Sequence, residues 1–286
     1  MTAQLFERIQ QAHRQRRPLV MGIVNVTPDS FSDGGRYWHA EDAVAHALDL
    51  ASQGADILDI GGESTRPGAE PVSAEQEIER VVRVVEQVAR RLAVPMSIDT
   101  SKPEVMKAAV AAGAAMINDV NGLRAAGAVE AAAELNVPVC IMHMQGQPRT
   151  MQEKPSYQDV VADVASFLAQ RSAAALAAGI RREHIVIDPG FGFGKTLGHN
   201  LELLARQEDL LAAGWPLLVG ISRKSMLGAI TGRKQADQRL AASLAAAMLS
   251  AQRGAAILRV HDVGPTVDVL KVLSAVTDAT PPAASR

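Results

Sequence analysis

The chain has 286 residues, a formal net charge of −2, 48% hydrophobic residues and 21% charged residues. These values are typical of a globular protein that buries a large core. Positive and negative charges are nearly balanced, which gives no indication of a nucleic-acid or membrane partner. The single cysteine, Cys140, excludes intramolecular disulfides and a cysteine-built zinc site. This fits a reducing compartment, and no apolar run approaches the length of a membrane span, so a cytoplasmic protein is expected.

One pattern recurs along the chain: an Ala-rich segment of helical period, then a glycine, then a short apolar run, as in ASQGADILDI at 51–60 and AQRGAAILRV at 251–260. Glycine commonly ends a helix in the left-handed conformation and reverses the chain. Together with PLVMGIVNV at 18–26 and two runs that begin with Val-Pro, the pattern predicts eight strands. Eight helices are predicted between them, at about 39–53, 73–92, 103–112, 125–135, 158–178, 199–212, 236–252 and 264–275.

The strict alternation of strands and helices predicts the fold class. Short strands that are apolar throughout are typical of a parallel sheet covered by helices, and eight of each element favour an α/β protein with a single-domain TIM (β/α)8 barrel. A doubly wound Rossmann sheet is the second candidate, but no G-x-G-x-x-G follows the first strand. The expected divisions are an N-terminal extension at 1–17, the barrel at 18–276 and a C-terminal tail at 277–286.

Residues that are costly to bury follow the predicted strands. In a barrel the carboxyl ends of all strands meet at one face, where the active sites of this fold lie. Any one of these residues is equally explained by a helix cap or a surface turn, but together they indicate a binding site. They are Asn25, Glu63 to Arg66, Asp99, Asn118, Asp119, His143, Asp188, Ser222 to Lys224, Arg259 and His261.

Two of these residues, Asp99 and Asp188, follow strongly apolar runs and should lie partly desolvated at the barrel mouth. A buried carboxylate needs donors, and a flat heterocycle with an amino group beside a ring N–H offers two parallel ones. Asn118 would complement such a ligand with a donor and an acceptor. The alternative is a structural pairing of Asp99 or Asp188 with Lys224 or Arg259, which the sequence leaves open.

A basic group, Arg259 with His261, follows the last strand. The planar guanidinium suits phosphate because it forms bidentate, charge-assisted bonds, whereas His261 is equally explained as a second anion donor or as a turn histidine. Asn25 offers a neutral oxygen at the same rim. Mg²⁺, which keeps several waters and binds substrate phosphates, would need little more from the protein.

Two loops at this face carry aromatic side chains. The segment DPGFGFGKT at 188–196 is not a phosphate-binding loop, because Pro189 occupies the position of the first required glycine. Its glycines are expected to present Phe191 or Phe193 to a flat ligand, although Phe191 could instead close the barrel top. The segment NVTPDSFSDGG at 25–35 fits neither helix nor strand, and residues 27–35 are expected to order over the mouth only when both substrate sites are filled.

Several segments together resemble the bacterial dihydropteroate synthases, over about residues 18–275. The most specific are MGIVNVTPDSFSDGG at 21–35 and DIGGESTRPGA at 59–69, with SIDTSKPEV, INDVNG, IVIDPGFGFGK, GISRKSMLG and RVHDV in the same order. The resemblance implies a TIM-barrel transferase that joins 6-hydroxymethyl-7,8-dihydropterin diphosphate to 4-aminobenzoate, with Mg²⁺ as cofactor. It also implies a homodimer.

The resemblance also implies roles for individual residues. Asp99, Asn118, Asp188 and Lys224 would hold the pterin, with Phe193 beside it, Asn25 would bind Mg²⁺, and Arg259 and His261 would bind the diphosphate. Thr65, Arg66 and Pro67 would belong to a second loop over the site, and Ser225 would lie near the aminobenzoate carboxylate. Phe31 would contact the aminobenzoate ring. The expected catalytic residues are Asp33, Lys224, Arg259 and His261.

Other functions remain as alternatives. A pterin-binding methyltransferase that uses methyltetrahydrofolate and a corrinoid partner shares the two carboxylates, but it needs neither the basic group nor the loop at 25–35. A catalytically silent pterin-binding relative would bind the pterin without turnover. A Schiff-base aldolase is disfavoured, because no lysine lies within a predicted strand and only Lys224 comes close.

Overall fold

A computed structural model describes residues 2–26, 36–64, 70–147 and 150–279. The remaining residues lie outside the described part of the chain. They include five of the predicted site residues: Phe31, Asp33, Thr65, Arg66 and Pro67.

From the first strand onward, at least one helix follows each strand, and two α-helices follow β7. The strands are β1 (Leu19–Asn25), β2 (Ile57–Gly61), β3 (Met96–Asp99), β4 (Met116–Asp119), β5 (Val139–Met142), β6 (Ile185–Asp188), β7 (Leu218–Val219) and β8 (Ile257–Val260). The α-helices are α1 (Thr2–Gln15), α2 (Arg36–Ser52), α3 (Ala74–Ala89), α4 (Pro103–Ala112), α5 (Ala128–Leu135), α6 (Val160–Ala177), α7 (Leu197–Ala205), α8 (Ser225–Thr231), α9 (Leu240–Gln252) and α10 (Val263–Ala279).

The eight strands form one parallel sheet in the order β6-β5-β4-β3-β2-β1-β8-β7. The two outer strands also meet: Ile187 of β6 forms a parallel bridge with Leu217, just before β7, and the Ile187 N–H donates to the carbonyl of Pro216 at 3.0 Å. The sheet therefore curls into a nearly closed barrel surrounded by helices, and the predicted (β/α)8 fold is confirmed.

The inside of the barrel is built in layers, because successive side chains of a strand point to opposite faces. One inner layer is apolar and forms a cluster separate from the main core: Met21, Ile57, Met116, Cys140, Val186, Leu218 and Ile257. Two residues further along, the side chain again points inward, and on β2, β4, β6 and β8 it is polar. These polar residues are Asp59, Asn118, Asp188 and Arg259, so the strand period itself assembles these groups in one layer above an apolar floor.

Helix α1 lies in the predicted N-terminal extension and closes the amino-terminal end of the barrel. Leu5 and Ile9, each 1% exposed, pack onto the apolar inner layer, and Arg8 forms an ion pair with Asp56 just before β2. The segment is therefore part of the folded core. Its spacing, with Leu5, Ile9 and Ala12 all buried, follows the helical period that places residues on one face.

Three other boundaries differ from the prediction. The helix predicted at 199–212 is α7 followed by a 3₁₀ helix at Gln207–Ala213, with Arg206 between them at φ −104° and ψ 24°, outside the α-helical range. The short helix α8 was not among the predicted helices. Helix α10 continues to Ala279, past the position 277 at which the tail was expected to begin.

Helix α6 is long and apolar enough to cross a membrane by length and composition alone, with a mean hydropathy of 1.2 over its 18 residues. The helix is interrupted by the charged residues Asp163 and Arg171, so it is not a continuous apolar run. Here the helix packs on the barrel, with Val160, Val161, Val164 and Leu168 buried. One such helix is weak support for a membrane location.

Candidate active site

Arg259 of β8 forms two ion pairs at the carboxyl end of the barrel. Its Nε donates to Asp59 Oδ2 at 2.6 Å and its Nη2 donates to Asp99 Oδ2 at 2.7 Å. Burial disfavours its charge, but the two carboxylates hold the pKa of Arg259 above its ordinary value. One guanidinium therefore bridges strands β2, β3 and β8, and the pairing of Asp99 with Arg259, left open by the sequence, is present in the structure.

Asp59 is a central member of this group and was not among the predicted site residues. Its side chain is fully buried, and Asp59 Oδ2 also accepts a hydrogen bond from Asn118 Nδ2 at 3.1 Å. It lies two residues beyond Ile57 of the apolar inner layer, so period-two alternation places it inside the barrel. This spacing of two residues from Ile57 is the signal in the sequence that could have identified Asp59 as a site residue.

Asp99 retains an acceptor that the protein does not use. Its side chain is 10% exposed, and Asp99 Oδ1 is buried without a hydrogen-bond partner in the described part of the chain. Burial raises the pKa of Asp99, against the opposing charge of Arg259. Because an unpaired buried carboxylate oxygen is costly, the geometry fits a ligand that brings a donor to this oxygen.

Asp188 and Lys224 form the other side of the site. The Asp188 Oδ1 accepts from the Gly190 N–H at 2.7 Å, and burial raises the pKa of this carboxyl. Lys224 directly precedes α8 and its Nζ donates to the carbonyl of Phe191. Burial lowers the pKa of Lys224 to about 8, against the attraction of Asp188.

The two phenylalanines after β6 have different surroundings. Phe191 is fully buried in the main core, together with strand residues that face the helices, so its ring is not presented at the barrel mouth. Phe193 is partly buried against a small cluster that contains Met142 and Met144. Its ring centroid lies 4.5 Å from Lys224 Nζ, within the range of a cation–π contact.

The remaining predicted residues lie at the ends of their strands. Asn25 ends β1, opposite Gly61, which in turn pairs with Asp99. His261 follows β8, and both its backbone N–H and its Nδ1 lie 3.2 Å from Ser222 Oγ. Ser225 is the first residue of α8.

A partly buried charge cluster of Lys102, Glu63 and Glu77 lies beside the residues that follow β2, and of the three only Glu63 was among the predicted strand-end residues. Lys102 Nζ donates to Glu63 Oε2 at 2.7 Å and to Glu77 Oε2 at 2.5 Å, while Glu63 Oε1 accepts from the Val72 N–H at 3.0 Å. Arg80 also donates to the Gly62 carbonyl at 2.8 Å. The two ends of the segment 62–72 are thereby tied together beside the barrel mouth.

The parallel barrel, with buried carboxylates and cations converging at the carboxyl ends of its strands, defines a (β/α)8-barrel enzyme that binds small polar molecules there. The family model of pterin binding enzymes matches residues 21–261. The dihydropteroate synthase of Escherichia coli K12 is 52% identical over 92% of this chain and 93% of its own length.

Solved structures give the same result. The dihydropteroate synthase of Xanthomonas albilineans with 4-aminobenzoic acid is 57% identical and covers 93% of this chain and 94% of its own, with a TM-score of 0.88. The enzyme from the same organism in complex with 7,8-dihydropteroate is 54% identical, at coverages of 93% and 95% and a TM-score of 0.85. The chain belongs to the pterin-binding enzyme family, as a transferase of the dihydropteroate synthase group.

Proposed function

We propose that the chain condenses 6-hydroxymethyl-7,8-dihydropterin diphosphate with 4-aminobenzoate, releasing diphosphate and 7,8-dihydropteroate. The observation that carries the substrate assignment is the buried, unpartnered Asp99 Oδ1 in a layer that also holds Asn118 and Asp188. A pterin presents an amino group beside a ring N–H, which satisfies carboxylate acceptors. The bound 4-aminobenzoic acid and 7,8-dihydropteroate of the Xanthomonas structures support the same assignment.

The pterin would lie between Asp99 and Asp188, on the polar layer of the barrel. Asp99 would accept from the amino and ring N–H groups, and Asn118 would add a donor and an acceptor. Lys224 is placed between Asp188 and the Phe193 ring, where it can donate to a ring oxygen. Both carboxylates also stabilise a cationic pterin methyl group as the bond to diphosphate breaks.

The leaving diphosphate would be bound by Arg259 and His261. The Arg259 guanidinium has five N–H groups, of which Nε and Nη2 donate to Asp59 and Asp99, so the others remain to donate to phosphate oxygens. The two carboxylates fix the plane of the guanidinium before any ligand arrives. A charge held in this way stabilises developing negative charge without reorganisation.

Mg²⁺ is proposed as cofactor, bound to Asn25. No group of three or more His, Cys, Asp or Glu residues in the described ranges is arranged to hold a metal, so this part of the chain offers no complete cage. The single amide oxygen of Asn25 fits only an ion that keeps its waters and takes oxygens from diphosphate, as Mg²⁺ does. When bound, it would neutralise charge on the leaving group.

Diphosphate release is expected to require both 4-aminobenzoate and Mg²⁺. Chelation with EDTA should reduce turnover at least about tenfold, and the Asn25→Ala variant should need more Mg²⁺ for half-maximal rate. Released diphosphate is measured by a coupled assay, with readdition of Mg²⁺ as the control. Turnover that is unaffected by chelation would remove Asn25 and the metal from the mechanism. A rate of diphosphate release that does not increase when 4-aminobenzoate is added would argue against the synthase reaction itself.

The aromatic amine attacks as a neutral nucleophile, so the reaction requires no strong general base. Water competes with it for the cationic pterin, and its exclusion therefore matters. The proposed lid, at 27–35 with Phe31 against the aminobenzoate ring, serves that purpose. Thr65, Arg66 and Pro67 are proposed to cover the site from the second loop, and Ser225 to lie near the aminobenzoate carboxylate.

Asp33→Ala is expected to leave pterin affinity within about twofold of the wild-type value and to lower kcat by about tenfold or more. The proposed reason is that Asp33 reaches the cationic centre only when the lid is closed. Calorimetry with the pterin diphosphate and steady-state kinetics measure the two quantities. An unchanged kcat would exclude Asp33 from catalysis.

The chain is further proposed to act as a cytoplasmic homodimer on its small-molecule substrates, without a nucleic acid or membrane partner. The exposed Val272 and Val276, 65% and 62% exposed and one turn apart on α10, provide an apolar surface for a second copy. Light scattering would measure the oligomeric state.

A further inference from the structure

The loop Gly190–Gly194, which follows β6 and which we call the GFGFG loop, has a side-chain donor at each of its five carbonyl groups. The Lys195 ammonium donates to the carbonyls of Gly190 and Phe193. The other three carbonyls accept in chain order from Lys224, Gln152 and Tyr157. Since each bond fixes one peptide unit, the loop is held in a single conformation.

Lys195 is the most buried of these donors, at 3% exposed. Its Nζ lies 2.9 Å from His143 Nδ1, 2.9 Å from the Gly190 oxygen and 3.0 Å from the Phe193 oxygen. Burial lowers the pKa of His143 to about 3, so its Nδ1 accepts at neutral pH. An ammonium has three hydrogens, and the three acceptors use all of them.

The partners of Lys195 are also the groups that hold Asp188. The Gly190 N–H donates to Asp188 Oδ1 at 2.7 Å, and the His143 N–H donates to the Asp188 carbonyl at 2.9 Å. Gly190 has a φ of +67°, and a Cβ there would lie 1.9 Å from the His143 oxygen. The backbones of Gly190 and His143 are thus in close contact beside Asp188.

We infer that Lys195 is a positioning residue: through Gly190 and His143 it sets the direction of the Asp188 carboxylate, and with it the affinity for the pterin, without contacting the substrate. This rests on the proposed function, in which Asp188 binds the pterin. The lysine that ends the glycine-rich segment therefore acts on the loop itself rather than on phosphate.

The first test is the Lys195→Met variant, with 6-hydroxymethyl-7,8-dihydropterin diphosphate as the calorimetric probe in the absence of 4-aminobenzoate. The loss of hydrogen bonds to Gly190 and Phe193 should weaken pterin binding by about tenfold or more. The KM for 4-aminobenzoate should stay within about twofold, because that substrate does not contact Asp188.

The matched control is Tyr157→Phe. It removes one donor from the same loop, at the Gly194 carbonyl, which is not bonded to Asp188. Equal losses of pterin affinity in the two variants would show that any loosening of the loop has this effect, and would overturn the role of Lys195. Pterin affinity of Lys195→Met within about twofold of wild type would do the same.

The Lys195→Arg variant tests the inference if Lys195→Met fails to fold. The charged groups that act on Lys195 are Asp188 and Lys224, and His143 contacts it. Burial lowers the pKa of Lys195 to about 7, below the value of about 8 for Lys224. Above its pKa the neutral amine has too few hydrogens for three acceptors, so wild-type pterin affinity should lose a contribution from Lys195 as pH rises through about 7, beside the contributions of Asp99 and Lys224.

An arginine stays protonated, so the Lys195→Arg profile should lack the Lys195 contribution while it keeps those of Asp99 and Lys224, and identical profiles would overturn the inference. The outcomes also separate the two proposals. If the wild-type chain does not bind the pterin diphosphate, the proposed function fails. If it binds and the Lys195 variants behave like it, only the role of Lys195 is wrong.

Discussion

Pterin binding is expected to be lost when Asp99 is replaced by alanine. The change removes the unpartnered Oδ1 that would accept from the pterin and the Oδ2 that holds Arg259. The amino and ring N–H groups of the pterin would donate two hydrogen bonds to this charged acceptor, which contribute about 3–6 kcal/mol together, so affinity should fall by at least about a hundredfold. Calorimetry with the pterin diphosphate measures the effect.

The control for Asp99→Ala is Asp119→Asn. Asp119 is also a buried carboxylate at a strand end, but its two oxygens accept from the Asn121 and Leu123 N–H groups and hold a turn. The Asp119→Asn substitution should therefore lower the unfolding temperature more than it weakens pterin binding. If Asp99→Ala still binds the pterin within about tenfold of wild type, the assignment of the pterin site to this carboxylate is wrong.

Replacing Arg259 with methionine is expected to destabilise the fold and to abolish turnover. The variant would leave Asp59 and Asp99 buried without the cation that pairs with both. Removing one partner of a buried ion pair costs about 3–5 kcal/mol, which should appear in urea unfolding near neutral pH. Turnover should fall by about a hundredfold or more, because the diphosphate loses its bidentate donor.

The pH dependence of unfolding identifies the cause in Arg259→Met. Burial already raises the pKa of Asp99, and loss of the guanidinium raises it further. A carboxyl whose folded pKa is raised is stabilising only while protonated, so stability is lost as pH rises through that pKa. Because the pKa of Asp99 in the wild type is already about 7, the deficit relative to wild type should shrink as pH falls from about 9 to about 7. A deficit that is constant over this range would indicate lost packing rather than unpaired charge.

The sequence predicts the barrel well because its signals are local. Each strand is a short apolar run with a helix cap before it, and the polar residues at strand ends identify the face of the site. Asp59 and Lys195 were missed for a different reason: their partners are far along the chain. The Asp59–Arg259 pair joins residues 200 positions apart, and Lys195 meets His143 across 52. Only the closed barrel brings such partners together.

Helix α1 was missed although its signal is local. The segment is rich in Gln and Arg, and this composition obscures the buried face formed by Leu5 and Ile9. What they cover is the apolar inner layer, whose members come from seven different strands. The sequence alone does not show that this end of the barrel needs a cover.

The shared use of Asp99 has a thermodynamic consequence. Its Oδ2 holds Arg259, the proposed diphosphate ligand, and its Oδ1 is free for the pterin, so the two halves of the substrate act on a single carboxylate. Binding at one half therefore changes the free energy of binding at the other, and the coupling is reciprocal. An anion bound at Arg259 changes the affinity for the pterin ring by some factor. The pterin ring then changes the affinity for that anion by the same factor.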